Sequence, residues 1–156
     1  MVEFRAARSD ESPGRELLVE LNALFDAQYA GRVLRPGSVT TPDEMVPPNG
    51  MFLVGYEEQR AVAVGGVRRL ADRVGEIKRM YVVPTARSRG VGRALLTALE
   101  DAGRELGFER VRLDAGPAQT HSKSLFERTG YVQIPPYNAN HIADYFAEKD
   151  LRDRDL

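Results

Sequence analysis

Two glycines one residue apart, Gly90 and Gly92, stand among three arginines, Arg87, Arg89 and Arg93. They follow a strand-like run that ends Tyr81-Val82-Val83-Pro84, and helical periodicity resumes directly after them. The pair therefore falls in the first turn of a helix. A helix start leaves backbone N–H groups without partners and carries about half a positive charge. Such groups suit a pyrophosphate. Glycine at 90 and 92 removes the Cβ atoms that would hold an anion away from the backbone, and the arginines add charge. The segment Arg87-Ser88-Arg89-Gly90-Val91-Gly92-Arg93 is thus a candidate anion cradle.

The elements that must position it follow from hydrophobic periodicity. Residues 2–7 alternate and read as a strand. Ser12 as N-cap and Pro13 at the first helical position open a helix with Leu17, Leu18, Leu21, Leu24, Phe25 and Tyr29 on one face, ended by Gly31. Residues 35–50 are rich in Pro, Gly, Ser and Thr and read as a loop, with one helical turn at 42–45. Residues 51–56, 60–70 and 74–83 form an antiparallel meander, and Gly65-Gly66 signals a bulge or a close backbone approach. Residues 88–105 form a helix capped by Gly107. Residues 110–114 give a strand able to lie parallel to the one at Val82. A helix at 120–129 ends at Gly130, and strands at 131–134 and 145–151 close the chain. The expectation is an α+β layer fold, with residues 1–156 forming one domain.

Composition narrows the function. The 156 residues are 42% hydrophobic and 29% charged, an ordinary globular balance. No apolar run approaches the roughly 20 residues of a membrane span. The start, Met1-Val2-Glu3-Phe4-Arg5, lacks the apolar stretch of a signal peptide, so the expected location is cytoplasmic. With no cysteine and only His121 and His141, neither a thiolate site nor a Cys nucleophile exists and no metal is expected. The net charge of −1 gives no pull toward nucleic acid or an anionic membrane.

The string Val82-Val83-Pro84 followed by Arg87-Ser88-Arg89-Gly90-Val91-Gly92 resembles the acetyl-CoA motif of the GNAT N-acetyltransferases, Arg/Gln-x-x-Gly-x-Gly/Ala after a strand. Arg93-Ala94-Leu95-Leu96 resembles the family's next helix. Leu125-Phe126-Glu127-Arg128-Thr129-Gly130-Tyr131 resembles its Leu-Tyr-Glu-x-x-Gly-Phe element. The resemblance implies a mixed, mostly antiparallel sheet with a splayed central parallel pair and helices on both faces. It implies acetyl-CoA as co-substrate, with backbone groups of Met80, Tyr81 and Val82 on the pantetheine arm and those of residues 87–93 on the pyrophosphate. The acceptor would be an amine of a small molecule or peptide, and a homodimer is left open.

A lysine-like amine, with pKa about 10, must lose a proton before it attacks a thioester. Glu76, eleven residues ahead of Arg87, occupies the offset of the general base in the histone-acetylating branch. Strand alternation would put it on one face with Met80 and Val82. The family's usual acid, a Tyr beside the CoA sulfur, is replaced by Phe126. Tyr137 and Tyr145 are the candidate substitutes. His121, near a helix start, reads as a surface residue. Phe25, Tyr29, Arg32 and residues 135–140 would line the acceptor site.

Two rival readings remain. A dinucleotide-binding oxidoreductase would use Gly90-x-Gly92 with Asp114 as the ribose-binding acid. Leu95 at the third glycine position and the seven-position offset from Val83 to Gly90 argue against it. A CoA-binding module without catalysis is kept alive by Phe126.

Overall fold

The computed structural model describes residues 1–29 and 40–152. Its seven strands are β1 (Glu3–Ala7), β2 (Gly50–Glu57), β3 (Arg60–Ala71), β4 (Val74–Val82), β5 (Arg110–Ala115), β6 (Val132–Gln133) and β7 (Tyr145–Asp150). They form one sheet in the order β1-β2-β3-β4-β5-β7-β6. The helices are α1 (Gly14–Gln28), α2 (Val91–Glu105) and α3 (Thr120–Arg128). Among the described residues only β4 and β5 pair in parallel. The expected mixed, mostly antiparallel α+β sheet is therefore present, and the successive parallel units of a dinucleotide-binding fold are not. No described helix is long and apolar enough to cross a membrane.

The helices cover opposite faces because each carries one apolar stripe. Leu17 and Leu21 of α1 pack with Met45, Phe52, Val54, Val64 and Tyr81. Val91, Leu95, Leu96 and Leu99 of α2 pack with Leu53, Ala63 and Ile77 on the other side. Phe126 of α3 joins the α2 side.

Strand β4 is where the sheet opens. It pairs with β5 only at Val74, Gly75 and Glu76, opposite Arg110, Val111 and Arg112. Beyond Glu76, β4 stays with β3 while β5 stays with β7 through Ala115. The expected splay is thus real. A bulge accompanies it. Val64 opposes Tyr81 and Gly66 opposes Lys78, so Gly65 faces both Arg79 and Met80. Arg79 is left-handed, with φ 64°. The extra residue reverses strand parity. Met80 and Val82 pack on the α2 side and Tyr81 on the α1 side. Glu76 bonds Arg68, whose other partner is Glu44 on the α1 side. Glu76 therefore lies on the opposite face from Met80 and Val82, which corrects the expectation from simple alternation.

Two local starts differ from expectation. Ser12 is not the N-cap of α1: Pro13 holds that position without a side-chain cap. The Ser12 hydroxyl donates to the Glu16 carboxylate instead. Helix α2 begins at Val91 rather than Ser88, because Ser88 (φ 65°) and Gly90 (φ 81°) are left-handed and cannot be helical. Gly31, expected to end α1, and Arg32 lie outside the described residues.

Gly65 lies under α2, where an added Cβ would come within 2.8 Å of Leu99 Cδ1 and 3.2 Å of Leu95 Cδ1. Gly65→Val is expected to lower unfolding free energy by about 1–3 kcal/mol, the usual range for overpacking. Urea denaturation of the two proteins checks this, and equal midpoints would show that α2 yields without strain.

Candidate active site

On the α2 side, Pro84 stops β4 and a 3-10 turn at Pro84–Ala86 leads to the glycines. Gly90 is the N-cap of α2 and supplies no side chain to bond the first N–H groups. Ala94 N–H makes the first bond back to the Gly90 carbonyl, so the N–H groups of Val91, Gly92 and Arg93 have no intrahelical acceptor. The space in front of Gly90 is open: an added Cβ would meet nothing within 4 Å. A shallow groove continues along Gly90, Arg93, Ala94, Thr97, Ala98 and Asp101. Uncapped N–H groups beside open space fit a pyrophosphate.

The arginines divide. Arg89 is held by Glu57 in a two-bond ion pair at 3.0 and 2.8 Å. Its charge is answered by protein, so its part in the cradle is its backbone. Arg87 Nε donates to the Val82 carbonyl at 2.9 Å, and its guanidinium sits 5.6 Å from the Tyr81 ring centroid. Arg93 is exposed on the groove. Tyr81 points to the α1 side and donates to Glu20 at 3.1 Å, leaving only its backbone for a ligand in the gap.

From the α1 side a cleft of about 550 Å³ runs into the gap, reaching Met80 and Phe126 of the α2 side. Its walls include Phe25 and Asp26 from α1, Tyr29 at the C-cap of that helix, Lys78, Arg79 and Met80 from β4, Asp114 from β5, Phe126 from α3 and Asn140. Phe25 and Tyr29, expected to line an acceptor site, line this cleft. From the segment 135–140, Asn140 lines the cleft while Tyr137 and Asn138 lie behind it.

Glu76 is 1% exposed and forms part of the packing behind the cleft wall. Arg68 donates to Oε1 at 3.0 Å, and Tyr137 donates to Oε2 at 2.7 Å. Asn138 Nδ2 donates both to Glu76 Oε2, at 3.1 Å, and to Asp114 Oδ2, at 2.7 Å. The Lys78 ammonium lies 3.7 and 3.5 Å from the same two oxygens. Two carboxylates thus share one amide and one ammonium, and Asp114 is the member that faces the cleft. Sequence reasoning missed Asp114 in this role. The alternation Arg110, Arg112, Asp114 along β5 was the signal available.

The tyrosines also separate. Burial and the Glu76 charge push the Tyr137 hydroxyl up, and its proton is committed to Glu76. Tyr145 stacks on Phe126 with ring centroids 6.5 Å apart. Its hydroxyl is buried and has no hydrogen-bond partner among the described residues, and burial raises its pKa. His121 is exposed. Among the described residues no three His, Cys, Asp or Glu side chains are grouped to hold a metal.

Known proteins share this fold. The sequence profile of the acetyltransferase (GNAT) family matches residues 18–131. An "IAA acetyltransferase" of Azospirillum brasilense is 31% identical over 147 residues, covering 90% of this chain and 95% of the relative. A candidate acyl-CoA N-acyltransferase structure from Klebsiella pneumoniae superposes with a TM-score of 0.77 at 24% identity, covering 97% of this chain and 98% of that one. The PaiA N-acetyltransferase of Thermoplasma acidophilum, solved with coenzyme A, gives 0.67 at 14% identity over 96% and 99% of the two chains. At these identities the structures establish the fold alone.

An added Cβ at Gly92 would meet only Leu125 Cδ2 at 3.8 Å and Val82 Cγ2 at 4.0 Å, ordinary contacts. Gly92→Asp should therefore fold, while placing a carboxylate among the uncapped N–H groups. Its acetyl-CoA affinity should fall at least about a hundredfold, since the new charge competes for the same donors. Calorimetric titration measures this, and wild-type affinity in a folded variant would remove the cradle from the binding site.

Proposed function

The chain belongs to the acetyltransferase (GNAT) family, and we propose that it moves the acetyl group of acetyl-CoA onto a primary amine of a small molecule or peptide by direct attack on the thioester. One observation carries this reading. A single gap between β4 and β5 has the uncapped helix start on one side and a polar cleft on the other. Two reactants entering from opposite faces would meet where the backbone of β4 lacks a partner strand.

The chemistry sets what the side chains must do. The amine nitrogen forms a bond to the acetyl carbon, the C–S bond breaks, and the nitrogen gives up protons. We assign Asp114 as the first proton acceptor, because it faces the cleft. Glu76 holds Asp114 in place through Asn138 and Lys78, whose donors both carboxylates share. The departing thiolate resembles cysteine, with a thiol pKa near ~8.5, so it leaves readily. Tyr145, with its hydroxyl uncommitted and its ring against Phe126, is the candidate donor to it.

A second reading, a module that binds acetyl-CoA without turnover, rests on Phe126 at the usual acid position. An amine panel read by CoA thiol release separates the two. Binding without release from any amine would favour the module.

Asp114→Asn is expected to lower kcat/KM by roughly 10²–10³ near pH 7, the range for a lost general base. The deficit should shrink as pH rises toward the acceptor's pKa, because free amine then forms unaided. Glu76→Gln removes one of the two carboxylates on Arg68, Glu44 remaining, and should cost about 1–3 kcal/mol of stability, with an activity loss that does not change with pH. Melting curves and pH–rate profiles of both variants check the assignment. The opposite pattern would make Glu76 the base.

Tyr145→Phe should lower kcat at least about tenfold while leaving acetyl-CoA affinity intact, toward the lower end for general acid catalysis because a thiolate leaves well. Single-turnover rates measure this. An unchanged rate would mean that the sulfur departs without a protein proton.

A further inference from the structure

Among the described residues, two cations, Lys78 and Arg79, and two carboxylates, Asp26 and Asp114, line the cleft, and Arg79 is the cation that forms no ion pair. Arg79 occupies the left-handed position of the β4 bulge and projects to the α1 side. Its Nη1 donates to Asn22 Oδ1 at 2.9 Å. Among the described residues no carboxylate oxygen lies within 4 Å of its guanidinium. Its neighbours Arg68 and Lys78 on β3 and β4 are matched. Arg68 has Glu76 and Glu44, and Lys78 has Glu76 and Asp114. Arg79 is partly buried, and burial lowers its pKa from the usual value, though a guanidinium keeps its proton.

A charge withdrawn from water without a counter-charge is unfavourable. A left-handed arginine adds backbone strain of about 1–3 kcal/mol. Both are tolerated at a site where a ligand completes the pairing. The guanidinium offers a planar fork of donors, of which Asn22 occupies one, and that fork matches a carboxylate in two parallel bonds. The Thr40 hydroxyl lines the same cleft, and its oxygen is buried with no hydrogen-bond partner among the described residues. Across the cleft stands the carboxylate of Asp114.

We propose that the acceptor is an amino-acid-like molecule, with a free carboxylate bound by Arg79 and an amine directed to Asp114. This rests on the acetyl-transfer reading and narrows its acceptor class. The cleft, at about 550 Å³, has the size of a small-molecule site. A polypeptide N-terminus presents an amide where a free amino acid presents its carboxylate, so Arg79 favours the free molecule.

The test pairs acids with their neutral counterparts. CoA thiol release is measured with a series of α- and ω-amino acids, each beside its primary amide. The acids should be preferred at least about tenfold in kcat/KM, as a charge-assisted pair predicts. In Arg79→Gln that acid-to-amide ratio should fall at least tenfold through the KM of the acids, and Arg79→Lys should restore part of it. Both replacements keep a Cβ at the left-handed position, so the backbone demand is unchanged, and the lysine variant carries the test where the glutamine variant does not fold. Amides used as well as acids, or a ratio that survives in Arg79→Gln, would overturn the proposal. Turnover of no amine at all would overturn the acetyl-transfer reading instead. Calorimetric titration of N-acetylglycine and N-acetylalanine onto the CoA-saturated protein then decides the carboxylate site. Binding weakened at least tenfold by Arg79→Gln supports it, and equal binding, or none to the wild type, overturns it.

Discussion

Strand β4 cannot serve two partners along its whole length. Its bulge at Arg79 keeps it in register with β3, while β5 follows β7 in an unbroken ladder from Arg110 to Ala115. The two halves of the sheet therefore part after Glu76. At that fork sits a buried carboxylate bonded to Arg68 of β3 and to Tyr137 and Asn138 of the segment before β7. One side chain braces both halves at the point where backbone pairing ends. Burying a carboxylate alone would cost several kcal/mol, and the donors around it offset that cost only in this geometry.

The gap has two unlike sides because of strand parity. The extra residue at Arg79 sends Met80 and Val82 toward α2 and leaves Lys78, Arg79 and Tyr81 on the α1 face. The α2 side is thus apolar up to the uncapped helix start, and the α1 side is polar and charged. Without the bulge, Arg79 would face α2 with Ile77, and the cleft would lose this cation.

What could be read from the sequence was what local chemistry decides. Pro84 stopping a strand, Gly90 and Gly92 opening a helix, and the apolar stripes of α1 and α2 are each settled within a few residues. The partners of Glu76 were not legible. Two register changes intervene. The hairpin closes with Ala71 opposite Val74, yet Arg69 opposes Gly75, so Leu70 is extra and Arg68 rather than Arg69 faces Glu76. The bulge at Arg79 then reverses the face of every later residue in β4. Tyr137 and Asn138 come from more than sixty residues away. Neither bulge has a side-chain signature at the extra residue itself: Leu70 and Arg79 are ordinary in type, and only Gly65-Gly66 across the ladder hinted at irregularity.

Charge pairing separates the groups that hold the fold from those left for ligands. Arg89 is closed by Glu57, Arg68 by two glutamates, and the Tyr137 proton by Glu76. Each is satisfied without a second molecule, so each can be explained by folding. The uncapped N–H groups of α2, the guanidinium of Arg79 and the hydroxyls of Thr40 and Tyr145 are not satisfied in this way among the described residues. Buried or partly buried polar groups are ordinarily paired. Groups left incomplete around one gap, on both of its sides, are therefore the ones whose partners a bound substrate would supply. Donors and charges fixed in advance by a rigid frame also need no reorganisation as the reaction proceeds. The brace at Glu76 serves that end: it holds Asp114 still while remaining outside the cleft itself.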